Sequence, residues 1–412
     1  MKLTRRCTRV KIELLAPAGD LEKLKAAVLY GADAVYLGGR HFGLRAGAGN
    51  FSEEELIEGV RFAHGKGVQV YVTVNIFAHN SDLEVLPAYL ETIRAAGADA
   101  VIVSDPGVID LIRRLHPGLP IHLSTQANTT NWAAASFWER LGVKRIVLAR
   151  ELSLPEIGQI RDKVQLELEI FVHGAMCISY SGRCLLSNYL TGRDANRGDC
   201  AQSCRWRYAL VEEKRPGEYF GIEEDDRGSY ILGSRDLCLI EHIPQLVKAG
   251  INSFKIEGRM KSVNYVAGVV KVYREALDAY LADPENYTFN PAWWEEISKV
   301  SHRSYTTGFL SGSPGVSGQH YEGEIYKRSR VFVGLVRDYD HTSGLALVEQ
   351  RNRFALGDEV EVLVPGGNNF SQKIIEIIDQ EGCSVAAAPH PQQLVRVPFD
   401  RAVPEYAILR RI

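Results

Sequence analysis

Nowhere in the 412 residues does an uninterrupted apolar run approach the roughly 18 residues that a membrane-spanning helix requires, so no helical span is expected. The first residues, Met1 to Cys7, carry positive charge. Lys11 and Glu13 then break the apolar stretch that a signal peptide needs, which points to a cytoplasmic protein. An excess of charge of one sign is also missing. A net charge of −3 excludes a general nucleic-acid coat and confines any RNA contact to a local patch. No Gly-x-Gly-x-x-Gly turn follows an early strand, which counts against a dinucleotide fold. No His-Glu-x-x-His or Gly-x-Ser-x-Gly offers a peptidase its activated water or nucleophile. Low-complexity sequence is absent.

What is present is a repeated joint. A helical segment ends on glycine and a short β-rich run follows, at Gly31 to Leu37, Gly67 to Val72, Gly97 to Val103, Gly142 to Leu148 and Gly250 to Ile256. Glycine closing a helix in the left-handed region before a buried strand is the αβ joint of a parallel sheet. Further strands at Ile12 to Ala16, Ile121 to Thr125 and Leu166 to Val172 bring the count to eight, the number that closes a barrel. The expected fold is therefore α/β: a TIM-like (β/α)8 barrel, complete or distorted, over residues 1–320. It contains an inserted cysteine-rich segment at 174–240. An amphipathic closing helix is expected over Asn264 to Leu281. From about Val331 the runs are short, β-branched and broken by turns, so residues 321–412 read as a small β-barrel.

Five of the seven cysteines lie between positions 177 and 238, so their spacing is the main chemical clue. Cys177, Cys184, Cys200 and Cys204 follow C-x6-C-x15-C-x3-C, with Cys238 further on. In a chain with no export signal such thiols are ligands or reactive groups rather than a disulfide framework. Four thiolates complete either a structural zinc or an iron–sulfur site, and buried unligated cysteine is the bland alternative. The segment begins at the end of a predicted strand, where a barrel builds its active face. Arg183, Arg193, Arg197, Arg205 and Arg207 lie among the cysteines against Asp194 and Asp199, as an anion site or as a solvated basic surface. Asn75, Gln126 and Arg150 stand at predicted strand ends. His173 lies beside the first cysteine, either lining a site or structural. Glu257 ends the last strand as an acid or base, or as an ion-pair partner of Arg259 or Lys261. Lys327-Arg328-Ser329-Arg330, between Tyr326 and Phe332, is a modest RNA-contact candidate.

Three sets of residues carry a resemblance. Glu169 to Cys177 followed by Gly182 to Ser187, Leu15 to Asp20 with Gly31 to Tyr36, and Phe254 to Ser262 resemble the motifs of the collagenase-like peptidase family of unassigned mechanism. Tyr180 to Tyr189, Arg193 to Gly198 and Cys200 to Trp206 resemble its tRNA wobble-uridine hydroxylation branch. The resemblance implies prephenate-dependent formation of 5-hydroxyuridine in the tRNA anticodon region, with a 4Fe–4S cluster held by four of Cys177, Cys184, Cys200, Cys204 and Cys238. Zinc remains the alternative metal. It further implies that Arg183, Arg193, Lys255 or Arg259 hold the small dicarboxylate, with the β domain positioning tRNA. A peptidase, and a cluster-carrying scaffold for rRNA or quinone-precursor hydroxylation, are the alternative functions.

Overall fold

The computed structural model describes residues 12–45, 47–177, 179–206, 234–314, 327 and 329–412, with the backbone of short strand pieces between 210 and 229. Eight strands form the barrel: β1 (Glu13–Pro17), β2 (Ala34–Leu37), β3 (Gln69–Val74), β4 (Ala100–Val103), β5 (Ile121–Leu123), β6 (Arg145–Val147), β7 (Glu167–Ala175) and β8 (Ser253–Ile256). They pair in parallel in that order, and β8 pairs with both β7 and β1 to close the ring. The helices on the outside are α1 (Leu21–Leu29), α2 (Glu53–His64), α3 (Asn80–Ala96), α4 (Pro106–Leu115), α5 (Trp132–Arg140), α6 (Leu154–Arg161), α7 (Ile243–Lys248) and α8 (Val263–Ala282). No helix among the described residues is long and apolar enough to cross a membrane.

The local reasons are those read from the sequence. Gly31, Gly67, Gly97, Gly142 and Gly250 all have positive φ, so each helix ends on the residue type that enters the left-handed region without Cβ strain. Asp20, Ser52, Asp105, Asn131 and Ser262 accept hydrogen bonds from the first-turn amides of the helices they precede. The apolar core is the shell between strands and helices. Inside the ring the lower layer is polar instead, with Glu13, Tyr71, His122, Arg145, Glu169 and Ser253 all buried.

Between β7 and α7 the chain leaves the barrel. A short strand, Asp236–Cys238, returns antiparallel on the end of β7, with Cys238 opposite His173, and Tyr305–Thr306 adds to its outer edge. The C-terminal unit is a six-stranded antiparallel sheet of β9 (Val331–Asp340), β10 (Leu345–Gln350), β11 (Glu359–Leu363), β12 (Phe370–Lys373), β13 (Leu394–Pro398) and β14 (Ile408–Arg411), in the order β12-β11-β14-β9-β10-β13. It curls until the Gln372 side-chain amide donates to the Pro398 carbonyl at 2.9 Å, joining its two edge strands around its own core.

This unit docks on α8. Arg410, fully buried, pairs with Glu296 and donates through Nε to Asn264 Oδ1 at 2.8 Å. Lys271 donates to the carbonyl oxygens of Gly367 at 2.6 Å and Val364 at 3.3 Å. The helix read as amphipathic is therefore buried on every side from Val263 to Tyr273, because the second domain covers the face that would otherwise meet water.

Candidate functional site

A cavity of about 400 Å3 opens at the C-terminal ends of the barrel strands. Its floor is the upper layer of the ring, with Tyr36, Thr73, Ile102, Val147, Phe171 and Lys255. Its walls are the loops that follow the strands, and the inserted segment forms the roof.

Lys255 is held from beneath. Its Nζ lies 2.8 Å from Glu169 Oε1 and 4.4 Å from the centre of the Tyr36 ring. Glu169 also meets Arg145 at 3.2 Å, and Arg145 in turn pairs with Glu13. Burial would push the Glu169 carboxyl up, but Lys255 and Arg145 outweigh it and hold it below its ordinary value. The carboxylate is thus ionised and fixed between two cations.

At the wall, Glu257 faces Arg45 at 3.4 Å and Arg150 at 3.6 Å. Burial opposes ionisation here too, and Arg45, Arg150, Arg259 and Lys255 together keep the carboxyl below its usual range. Glu257 is therefore a carboxylate at neutral pH, fitted to accept a proton or to orient cations rather than to donate a proton. Arg150 stacks 3.9 Å over the Phe171 ring. Arg259 is buried, donates to Thr73 Oγ1 at 3.3 Å and to Asn50 Oδ1 at 2.5 Å, and is lowered to about 10 by burial, so it stays charged. Two glycines make room for this wall: a Cβ on Gly38 would lie 2.4 Å from Arg259 Nη2, and one on Gly174, at φ +108°, would lie 2.4 Å from the Glu257 carbonyl oxygen.

Among the described residues, Asn75 Oδ1, Gln126 Oε1 and Arg259 Nε are buried with no hydrogen-bond partner. All three residues line the cavity. Unpaired buried polar atoms are costly, and a polar ligand in the cavity is what would satisfy them.

Cys177, Cys184, Cys200 and Cys204 all line the same cavity. Burial pushes the Cys177 thiol up, with Cys184 and Cys200 close enough to push it the same way. Among the described residues no three His, Cys, Asp or Glu side chains are already in the geometry of a shared ion. The donor set nevertheless fits an iron–sulfur group: four soft thiols from one segment face one chamber, with cations opposite. Cys238 is placed elsewhere. It is buried 3.9 Å from the Tyr273 hydroxyl, does not line the cavity, and burial pushes its thiol up to about 12.

Other residues singled out in the sequence also sit apart. His173 is buried among Tyr265, Tyr273 and Tyr305 behind the barrel wall, outside the cavity lining, and burial lowers it to about 3. Arg183 spends its guanidinium on the Gln126 carbonyl oxygen, with bonds of 3.0 and 2.7 Å, and is not in the lining. Arg193 reaches the rim but pairs with Asp199 at 2.7 Å, and Arg197 pairs with Asp82 at 2.8 Å. The other cations in the lining are Arg45, Arg150, Lys255, Arg259, Lys261 and Arg303, the last paired with Asp236 at 2.7 Å, and Arg150, Lys255 and Arg259 are among those singled out in the sequence. Arg45 was not legible in advance, because its loop after β2 has no periodicity. Glu169 had a signal, a charged residue within an otherwise apolar strand. Arg207, Arg328 and Tyr326 lie outside the described residues, as does the side chain of Arg205.

Comparison with known proteins agrees with this construction. The model of peptidase family U32 matches residues 19–320, and that of the peptidase family U32 C-terminal domain matches residues 328–410. The chain is 47% identical to tRNA hydroxylation protein P1 of Bacillus subtilis, over 97% of this chain and 95% of that protein. It is 40% identical to tRNA hydroxylation protein P of Escherichia coli, over 97% of each. It is also 32% identical to a collagenase of Porphyromonas gingivalis, over 89% of each chain. With one family model spanning most of the barrel and the second spanning the curled sheet, the chain belongs to peptidase family U32.

Proposed function

We propose that this protein is a cytoplasmic tRNA-modifying enzyme that hydroxylates the wobble uridine to 5-hydroxyuridine, with prephenate as co-substrate and an iron–sulfur cluster as cofactor. The observation that carries the reading is one chamber with two chemistries: four thiols on the roof, and Arg45, Arg150, Lys255 and Arg259 on the floor and wall. Two relatives that match nearly the whole chain are named tRNA hydroxylation proteins, which supports the tRNA hydroxylation part of the reading.

Cys177, Cys184, Cys200 and Cys204 would hold the cluster. When bound, such a group supplies one-electron redox or Lewis-acid chemistry. The chain's own residues do the rest. Arg150, Lys255 and Arg259 offer charge-assisted bonds to a dicarboxylate, and Glu257 fixes Arg45 and Arg150 in place. Asn75 and Gln126 present acceptors to a polar edge, and the Tyr36 and Phe171 rings keep the floor dry.

The test is nucleoside analysis of tRNA from a host lacking the gene, complemented with the parent or with Cys184→Ser. Restoration of 5-hydroxyuridine by the parent alone is the expected result. No change on deletion would remove the tRNA reading. A second reading, collagenase-like peptidase activity, is favoured by the similarity to the Porphyromonas protein. It predicts collagen cleavage by the anaerobically purified protein, which the same preparation can report.

A further inference from the structure

We infer that Asn75 and Gln126 recognise the target uridine, their side-chain amide oxygens accepting from the two hydrogen-bond donors that a uridine within an RNA strand carries, the base N3–H and the ribose 2′-hydroxyl. The inference rests on the RNA-modifying reading and names the residues that select its substrate. Asn75 follows β3 and Gln126 follows β5, the two strands that flank β4. In the closed ring β4 lies opposite β8, which carries Lys255 and leads into Glu257. The lining contributed by the ends of β3 and β5, namely Asn75, Ser124, Thr125 and Gln126, is polar and uncharged.

Both amides are held before any ligand arrives. Ser124 Oγ accepts from Asn75 Nδ2 at 3.3 Å and from the Gln126 backbone amide at 3.3 Å, so one hydroxyl ties the two residues together. Ser104 Oγ donates to the Asn75 carbonyl oxygen at 3.2 Å, and Arg183 donates twice to that of Gln126. The Gln126 side chain runs under the roof, where a Cβ on Gly182 would lie 2.8 Å from its Nε2. Gln126 is only 8% exposed, yet among the described residues neither its Oε1 nor Asn75 Oδ1 has a hydrogen-bond partner. The two open positions are therefore both acceptors, and groups fixed in advance lose little entropy when a donor meets them.

Counting donors chooses the partner. An ionised carboxylate and a phosphate diester have none, so neither the carboxyl groups of a dicarboxylate nor the RNA backbone satisfies an amide oxygen, and both are drawn to cations instead. A uridine inside a strand has two, the N3–H on its Watson–Crick edge and the 2′-hydroxyl, one for each open oxygen. A buried acceptor left unpaired is costly, so a nucleotide lacking either donor is disfavoured. The same two bonds would separate uridine from cytidine, whose N3 is an acceptor, and RNA from DNA, which lacks the hydroxyl.

The anaerobically purified holo-protein is titrated with three fluorescent RNA hairpins that differ at one unpaired loop position, which carries uridine, 3-methyluridine or 2′-deoxyuridine. Each modification is expected to weaken binding to the parent by about 5- to 150-fold, the loss of one hydrogen bond with its acceptor left open. Asn75→Ala and Gln126→Ala should each weaken binding of the uridine hairpin, and each should abolish the penalty for one modification while keeping the other, the pattern of a double-mutant cycle. Gln126→Glu keeps an acceptor and should keep both penalties, although its charge weakens all three hairpins alike. Unchanged iron content and melting temperature would show that the variants fold. Equal binding of the three hairpins by the parent, or both penalties persisting in both alanine variants, overturns the assignment and leaves the RNA-modifying reading intact. If the alanine variants lose affinity for prephenate in calorimetry while both hairpin penalties stay, the amides hold the co-substrate and the assignment is likewise overturned. Failure of the parent to bind the uridine hairpin overturns it too, whereas the RNA-modifying reading stands or falls on the nucleoside analysis.

Discussion

Glu169 and Lys255 form a 2.8 Å ion pair inside the barrel, with side chains 0% and 5% exposed, directly beneath the candidate cavity. The pair is asymmetric. Without Lys255, the Glu169 carboxylate keeps Arg145 at 3.2 Å, but without Glu169 the lysine ammonium has no other ion pair among the described residues and only the more distant Glu257 acting on it.

That asymmetry predicts an order of effects. Glu169→Gln leaves a buried charge uncompensated and is expected to destabilise the protein by about 3 to 5 kcal/mol. Lys255→Met removes the charge and keeps an apolar stem, so its cost should be smaller, while its loss of hydroxylation activity should be the greater per unit of stability lost. Urea denaturation of both variants decides this, and a lysine variant less stable than the glutamate variant contradicts it.

Cluster content separates the cysteines. Under anaerobic purification, about four iron and four sulfide per chain are expected from a four-thiolate cluster. Alanine at Cys177, Cys184, Cys200 or Cys204 should abolish them. Cys238→Ala should retain them, because Cys238 packs on Tyr273 outside the cavity. Iron lost from Cys238→Ala but kept in Cys204→Ala would reverse the assignment. Zinc without sulfide would replace the redox reading with a structural metal.

Acid stability follows from two buried histidines. Burial lowers both His122 and His173 from the ordinary 6.5 to about 3. Below 6.5 the unfolded chain takes up protons that the folded chain refuses, so stability is complete above that pH and is lost as the pH falls toward 3. Each histidine contributes about 1.4 kcal/mol per pH unit across that window. His173→Phe, in a pocket of three tyrosines, should remove one histidine's share of the slope between pH 6.5 and 5, with the rest left to His122 and to His242 and His302, which burial also lowers. An unchanged slope in urea midpoints would show that His173 is protonated in the fold.

The domain junction depends on Arg410. It is fully buried and draws Glu296 and Glu361 to one guanidinium. Arg410→Met leaves Lys299 as the cation paired with both Glu296 and Glu361, so the expected cost falls below the roughly 3 to 5 kcal/mol of a fully uncompensated buried charge. Limited proteolysis near residue 320 should then release the curled sheet, whereas the parent should resist. Equal resistance in both would mean that the remaining contacts suffice, among them Lys299 with Glu361, Arg337 and Arg351 with Glu22, and Lys271 with Val364 and Gly367.

The sequence by itself determined the barrel, because each joint is local. A glycine that ends a helix at positive φ and an apolar run of strand length need no distant partner to be recognised, and five such joints with three further strands give the eight that close the ring. The cysteine-rich roof was legible from local signals too, four thiols within positions 177–204 following the end of a predicted strand. Arg150, Lys255, Glu257 and Arg259 were legible at strand ends and line the chamber, but tertiary structure decided which of the inserted segment's arginines are held elsewhere and added Arg45. Arg183, Arg193 and Arg197 looked like an anion site until Gln126, Asp199 and Asp82 turned out to hold them, contacts whose partners for Arg183 and Arg197 lie 57 and 115 positions away. His173 and Cys238 were drawn into the core by a strand that returns antiparallel to β7. Electrostatic pairing depends on distance in space, which periodicity does not encode, so the fold and several strand-end charges could be read along the chain while the partners of those charges could not.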